Sequence, residues 1–499
     1  MSIVTTGCER TMPHRMTMTD RSRWLALYVL CLGTLMIVLD VTIVNVALPS
    51  IKRDLGFSQS SLAWVVNAYL LTYGGCLLLG GRLGDLFGHR RLFLLGIALF
   101  TLASLACGLS NTKGLLIAAR SVQGIGGAVV SAVSFGLVMT LFTEPAERAK
   151  AMGVAGFVAS GGGSIGVLLG GILTGTLNWH WIFLVNFPIG VLVVVLSLRL
   201  LPATAGHAGT GRIDFAGALT VTAALMLAVY AIVNGNQAGW TSAQTLGLLA
   251  GAVAILAAFL AIESRVSAPL VPLRLFRGRN FSTANTIGML WAAALFAAFF
   301  LSALYLQLAL GYSPLQVGLA FLPTNVIMGG FSIGLSAMLV MRFGLRKPLG
   351  VGLVFAAVGL ALLARAPVGG HYVTDVLPAM ILLGIGGGTA FNPVLLAAMG
   401  DVDQQEAGLA SGVINTSFMM GGALGLAVLA SLAASRTSSL HAAGHSAVSA
   451  LVGGYHLAFL LGAIFAVLGA AIGVSLLREQ PMPVPHLLAE EEVVQSASL

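Results

Sequence analysis

An aspartate at position 40 interrupts the apolar run Leu39-Asp40-Val41-Thr42-Ile43-Val44-Asn45-Val46-Ala47-Leu48-Pro49. A carboxylate deep in such a run is tolerated if it pairs, meets water or binds a proton. Burial disfavours its charge and a nearby cation favours it, so it can take and release protons. The plainer use is a hydrogen bond that only joins helices. Arg120 is the second such residue, in Leu116-Ile117-Ala118-Ala119-Arg120-Ser121-Val122-Gln123-Gly124. It heads a row, Gln123, Gly124, Gly127, Ser131 and Ser134, that recurs at about 100° per residue and shares one helix face. Small and polar groups on one face suit a water-filled lumen. The plainer alternative is a close helix contact, with Arg120 reaching outward to water. Asp40 and Arg120 stand roughly nine and five residues from the outer ends of their runs, which at about 1.5 Å per residue puts them at similar depth.

A third group is Gly81, Arg82, Gly84, Asp85, Gly88, Arg90 and Arg91, in a short loop after the second apolar run. The glycines permit a tight turn and close helix approach, while Asp85 can cap a helix or pair with an arginine. That frame can act as a latch closing one side of the molecule; a plain basic loop would need only the arginines. Gly162, Gly166 and Gly170 recur every four residues, which lets helices approach closely but says little about function. Asn45, Gln123 and Gly124 join these three glycines as candidates for cavity lining or helix packing.

Weaker signals read more simply. His441 and His445 have metal-ligand spacing, yet no carboxylate or cysteine stands beside them, so no metal is assigned. Trp179 and Trp181 read as an interfacial belt. Glu144, Glu147, Asp403 and Glu406 read as solvated loop residues. Cys8, Cys31, Cys76 and Cys107 form no CxxC pair and read as a free tail residue and packing groups. The sequence holds no Gly-x-x-x-x-Gly-Lys loop and no nucleophile–base constellation, so neither an ATP-driven pump nor an enzyme is expected, and no cofactor is assigned.

These residues need elements to hold them. Of 499 residues, 58% are hydrophobic and 8% charged, against about a quarter charged in soluble domains. Lipid must therefore be the solvent for most of the surface, and continuous apolar runs satisfy their backbone there only as helices. An all-α polytopic membrane protein follows. Runs long enough to span fall at 24–48, 62–81, 91–110, 115–140, 150–174, 180–201, 214–234, 244–262, 281–306, 315–340, 348–364, 372–399, 405–433 and 455–477, about fourteen helices. The basic tail before them lacks a cleavage site, so the first run is read as a retained helix.

The net charge of +8 is concentrated on one side. With the N-terminus inside, 19 lysines and arginines fall in inner segments and 5 in outer ones, a strong positive-inside bias. The charge faces the anionic lipid surface and needs no nucleic acid. Both termini are expected to be cytoplasmic, in the cytoplasmic membrane. Two short motifs recur with an offset of about 255 residues: Leu55-Gly56-Phe57-Ser58 with Leu310-Gly311-Tyr312-Ser313, and Phe87-Gly88-His89-Arg90-Arg91 with Phe343-Gly344-Leu345-Arg346-Lys347. The expected plan is a tail at 1–23, a six-helix bundle at 24–201, a linker with two inserted helices at 202–280, a second six-helix bundle at 281–477, and a tail at 478–499.

Over roughly residues 24–478 the chain resembles the major facilitator superfamily, and within it the fourteen-helix drug:proton antiporters. Gly81 to Arg91 resembles the superfamily's motif after the second helix. Leu39 to Pro49 resembles the first-helix motif of the drug exporters. Leu116 to Gly124 resembles the fourth-helix motif, whose arginine is assigned to proton coupling. Trp179 to Gly190, and Tyr305-Leu306-Gln307 with Gly311-Tyr312-Ser313-Pro314, are similar to this subfamily too. The resemblance implies two bundles rocking about a central cavity, with Asp40 and Arg120 coupling export of an amphipathic compound, cationic or aromatic, to protons. The substrate and the proton gradient are then the partners, with the protein a monomer in the bilayer. The sequence departs from the pattern at Val167, where the antiporter motif has proline; at His180, where arginine is usual; and at Phe418 and Met419, where polar glutamines are common. A nutrient importer on the same fold is the alternative, favoured by Val167; a non-transporting sensor or scaffold is the third.

Overall fold

The computed structural model describes residues 20–142, 144–202, 214–266, 269–400, 402 and 406–478. Sixteen helices carry the described chain: α1 (Asp20–Leu55), α2 (Trp64–Phe87), α3 (His89–Gly108), α4 (Lys113–Leu141), α5 (Pro145–Thr176), α6 (Trp181–Leu184), α7 (Asn186–Leu200), α8 (Phe215–Ala238), α9 (Ala243–Glu263), α10 (Arg279–Leu304), α11 (Pro314–Gly330), α12 (Ser336–Phe343), α13 (Arg346–Leu363), α14 (Leu377–Met399), α15 (Ala407–Ala442) and α16 (Ala447–Leu476). Among the described residues, thirteen stretches are long and apolar enough to cross a bilayer. The tenth expected span is divided instead: a π-turn at Phe331–Leu335 separates α11 from α12.

The helices run further than their apolar cores. α1 starts at Asp20 and continues through Pro49 to Leu55, so residues 20–23 belong to the helix and not to a tail. The glycine-rich run expected at 405–433 is one continuous helix to Ala442, which puts His441 in its last turn. The span at 180–201 breaks at Val185 into α6 and α7. Residues 81–87 are the last two turns of α2, and the turn into α3 is Gly88 alone, at φ +93°. Its counterpart Gly344 turns at φ +76°, and the other repeated glycines, Gly56 and Gly311, have φ values of +70° and +72°. Both halves therefore make equivalent turns with the residue that tolerates positive φ.

α1 to α7 pack as one bundle and α10 to α16 as another. The bundles meet along two seams, α5 with α11 and α2 with α15. Within a bundle the helices come close enough for glycine to be required. A Cβ on Gly124 of α4 would lie 2.5 Å from the Tyr69 carbonyl of α2, and one on Gly386 of α14 would lie 2.6 Å from the Gly352 carbonyl of α13. Large apolar side chains such as Leu95, Leu102, Leu219, Val253 and Met341 stand exposed on the outside, which suits a lipid-facing surface. The inserted pair is not remote from the bundles: α8 packs on α9 and also lies along the α2–α15 seam. There a Cβ on Gly75 would fall 1.8 Å from the Thr222 hydroxyl.

Arg10, Arg15, Arg212, Asp403 and Cys8, with both expected tails apart from residues 20–23 and 478, lie outside the described residues.

Candidate functional site

Asp40 and Arg120 meet. Arg120 Nη1 of α4 pairs with Asp40 Oδ2 of α1. Gln123 Nε2 donates to Asp40 Oδ1 at 2.6 Å, and Asn186 Nδ2 of α7 donates to the same oxygen at 3.2 Å. Gln123 also accepts from Arg120 Nη1 at 2.6 Å and donates to Ser104 Oγ of α3 at 2.7 Å. Arg120 Nε donates to the Val65 carbonyl of α2 at 3.0 Å, and the guanidinium lies over the Tyr69 ring, 4.4 Å from its centroid. Four helices of one bundle thus place side chains in one network, with α2 against its edge. The spacing of Arg120 and Gln123, one helical turn, lets both reach the same carboxylate.

Asp40 is 0% exposed and Arg120 1%. Burying two charges is tolerated where they pair and their remaining groups are bonded, and here the amides supply those bonds. Asp40 was expected to face a water-filled lumen; in this conformation it is sealed inside the N-terminal bundle.

A cavity of about 710 Å³ lies beside this network. Tyr73 and Leu77 of α2, Ser131 and Phe135 of α4, and Ser411 and Asn415 of α15 line it, and Arg82, Asp85 and His89 stand at its mouth. It therefore opens toward the arginine-rich end. The far end is closed between the halves. Gln307 donates to the Val46 carbonyl at 2.8 Å, and a Cβ on Gly318 would lie 2.6 Å from the Val167 carbonyl. One link joins network and cavity: Tyr69, under Arg120, stacks on Tyr73 with centroids 5.7 Å apart, and Tyr73 is part of the wall.

The remaining candidates divide. Of the α4 row, Gln123, Gly124 and Gly127 face the bundle interior, while Ser131 lines the cavity. Gly81, Arg82 and Asp85 line the mouth, where Asp85 sits 3.4 Å from His89. Gly84 packs on Val133, Arg90 Nη2 donates to the Leu198 carbonyl at 2.6 Å, and Arg91 is exposed. Gly162, Gly166 and Gly170 all face α1: their Cβ positions would meet Leu35 and Val38, Thr42, and the Ile43 carbonyl. Asn45 bonds the Val41 carbonyl of its own helix and stays outside the Asp40 network. Trp179 is buried and donates to Asp54 at 2.8 Å, leaving Trp181 as the exposed ring. Glu147 and Glu406 are not free in solvent: they pair with Arg23 and Arg274. Ser104, Asn186, Tyr69 and Val65 had no assigned role in the sequence. Asn186 was detectable as an amide inside an apolar motif, but its partner is 146 residues away.

Comparison with known proteins places the fold in a family. The family model described as Major Facilitator Superfamily matches residues 30–426. A puromycin resistance protein of Streptomyces alboniger is 39% identical over 450 residues, covering 90% of this chain and 89% of that protein. A cephamycin export protein of Amycolatopsis lactamdurans is 38% identical, covering 83% of this chain and 85% of its own. A lincomycin resistance protein of Streptomyces lincolnensis is 38% identical over the same shares. A solved bacterial homolog of the human lysosomal transporter Spinster shares the fold, with a TM-score of 0.65 over 92% of this chain and 97% of that one at 16% identity. The chain belongs to the Major Facilitator Superfamily.

Proposed function

We propose that this protein exports small amphipathic antibiotics or drugs across the cytoplasmic membrane in exchange for protons. The arginine-rich end then faces the cytoplasm, as the positive-inside bias requires, and the cavity open to that end is the loading state. The observation that carries the reading is the sealed Asp40–Arg120–Gln123 network one tyrosine pair from the cavity wall.

A proton on Asp40 removes the counter-charge that holds Arg120. The guanidinium keeps the Val65 carbonyl and the Tyr69 ring, both on α2, so its displacement acts on the helix that carries Tyr73. Neutralising a buried ion pair thereby shifts a wall of the substrate cavity, and substrate in the cavity resists or favours the same shift. Each positive charge moving inward contributes about 2.3 kcal/mol per 100 mV. Part of the cavity wall is apolar, formed by Leu77 and Leu78 of α2, Phe135 of α4 and Leu409 of α15. That suits a compound with an aromatic or aliphatic body. The names of the relatives, puromycin, cephamycin and lincomycin among them, support antibiotics as the class.

The test is efflux from membrane vesicles under an imposed proton gradient. Asp40→Asn and Arg120→Ala are expected to abolish gradient-driven transport while leaving substrate binding measurable; intact driven transport in both would end the coupling role. A second reading, import, is favoured by α5 running unbroken through Val167 with no proline kink. Flux direction in vesicles of known orientation separates the two.

A further inference from the structure

The inserted pair carries a buried site that drug–proton exchange at Asp40 does not use. Asp214 is the N-cap of α8, and its Oδ1 accepts from Gly217 N at 2.7 Å. Glu263 is the last residue of α9, and its Oε2 accepts from Val271 N at 3.3 Å. Asp214 is 8% exposed and Glu263 3%. Each keeps one oxygen, Asp214 Oδ2 and Glu263 Oε1, without a hydrogen-bond partner among the described residues. The two orphan oxygens both border the space over Gly217: a Cβ there would lie 2.6 Å from the first and 2.8 Å from the second.

Two ionised carboxylates cannot share a dry site without a cation. Neither joins a salt bridge among the described residues. The contacts that α8 makes with α2 and α15 are uncharged, Thr222 against Gly75 and the Ile232 carbonyl accepting from Ser431. Two turns from Asp214 and one from Glu263, Val221 of α8 and Phe259 of α9 join Met420 of α15 in an apolar cluster with Val271 packed on it. Helix ends then decide which group is neutral. Asp214 sits at a helix N-terminus, where the backbone favours an anion; Glu263 sits at a C-terminus, where it does not.

We infer that Asp214 and Glu263 hold one proton between them, carried on Glu263 and donated from its free oxygen to Asp214 Oδ2. This second proton site clasps α8 to α9 and, through Val271, ties the segment leading to α10. It stands apart from the Asp40 network and does not depend on the coupling role proposed there.

Infrared spectroscopy of the purified full-length protein, in an Asp40→Asn background, reads it directly. At neutral pH the spectrum is expected to contain a protonated-carboxyl C=O band that Glu263→Gln removes. Thermal melts give a second measurement. Gln reproduces a neutral hydrogen-bonding Glu263, so Glu263→Gln keeps its melting temperature as pH rises from mildly acid to mildly alkaline. The parent loses stability over that range as the proton leaves, and Glu263→Ala is destabilised throughout. A spectrum unchanged by Glu263→Gln, or Glu263→Gln melting as low as Glu263→Ala at neutral pH, would overturn the inference. So would stabilisation by added Mg²⁺ or Ca²⁺ in the parent but not in Glu263→Gln, because the site would then hold a metal cation.

Discussion

Asp40 receives Arg120, Gln123 and Asn186 on its two oxygens, yet the side chain next to that network is incompletely bonded. Tyr69 is 1% exposed and its hydroxyl has no hydrogen-bond partner among the described residues. An unsatisfied buried hydroxyl costs about 1–3 kcal/mol. Tyr69→Phe is therefore expected to raise stability by roughly 1 kcal/mol, seen as a higher melting temperature. The same substitution separates two roles. If the hydroxyl serves only packing, gradient-driven efflux stays at the parent rate; if it relays protons between cavity and network, efflux falls although stability rises.

At the scale of elements, α5 is held to α1 by its glycine row and to α11 by Gly171. The Cβ of a residue at 170 would lie 2.8 Å from the Ile43 carbonyl, a backbone atom that cannot turn away. Gly170→Val is expected to cost about 1–3 kcal/mol or more through overpacking, read as lost monodisperse protein in size-exclusion chromatography. Gly175, which a Cβ would leave without a neighbour within 4 Å, is the control: Gly175→Ala is expected to behave as the parent. A parent-like profile for Gly170→Val would mean that α1 and α5 are not in backbone contact.

For the whole molecule, the open arginine-rich end and the closed far end define one state of an alternating cycle. The α2–α15 seam above the cavity must loosen in the other state. A Cβ on Gly74 would stand 3.2 Å from Met419 Cβ, close to the separation a disulfide needs. With the native cysteines replaced, Gly74→Cys combined with Met419→Cys is expected to cross-link under oxidation and stop transport, and a reductant is expected to restore it. Transport that continues in the cross-linked protein would show that this seam does not move.

The sequence alone determined the solvent and the plan. Apolar runs of span length admit only helices in lipid, and the two repeated glycine turns, Gly56 with Gly311 and Gly88 with Gly344, fold alike. It also marked Asp40 and Arg120, because isolated charges in apolar runs stand out without any partner being known. Helix ends were less legible: α2 continues to Phe87 and α15 to Ala442, since polar residues extend a helix as readily as they end an apolar run. Only the tertiary structure decided where those charges point. Asn186 and Ser104 complete the network from helices far along the chain, and a local pattern carries no information about such neighbours. The sealed state of Asp40, the burial of Trp179 and the convergence of Asp214 and Glu263 on Gly217 likewise follow from which helix packs against which. Burial by a distant segment is a property of the packed bundle, and periodicity records only which face of a helix is apolar.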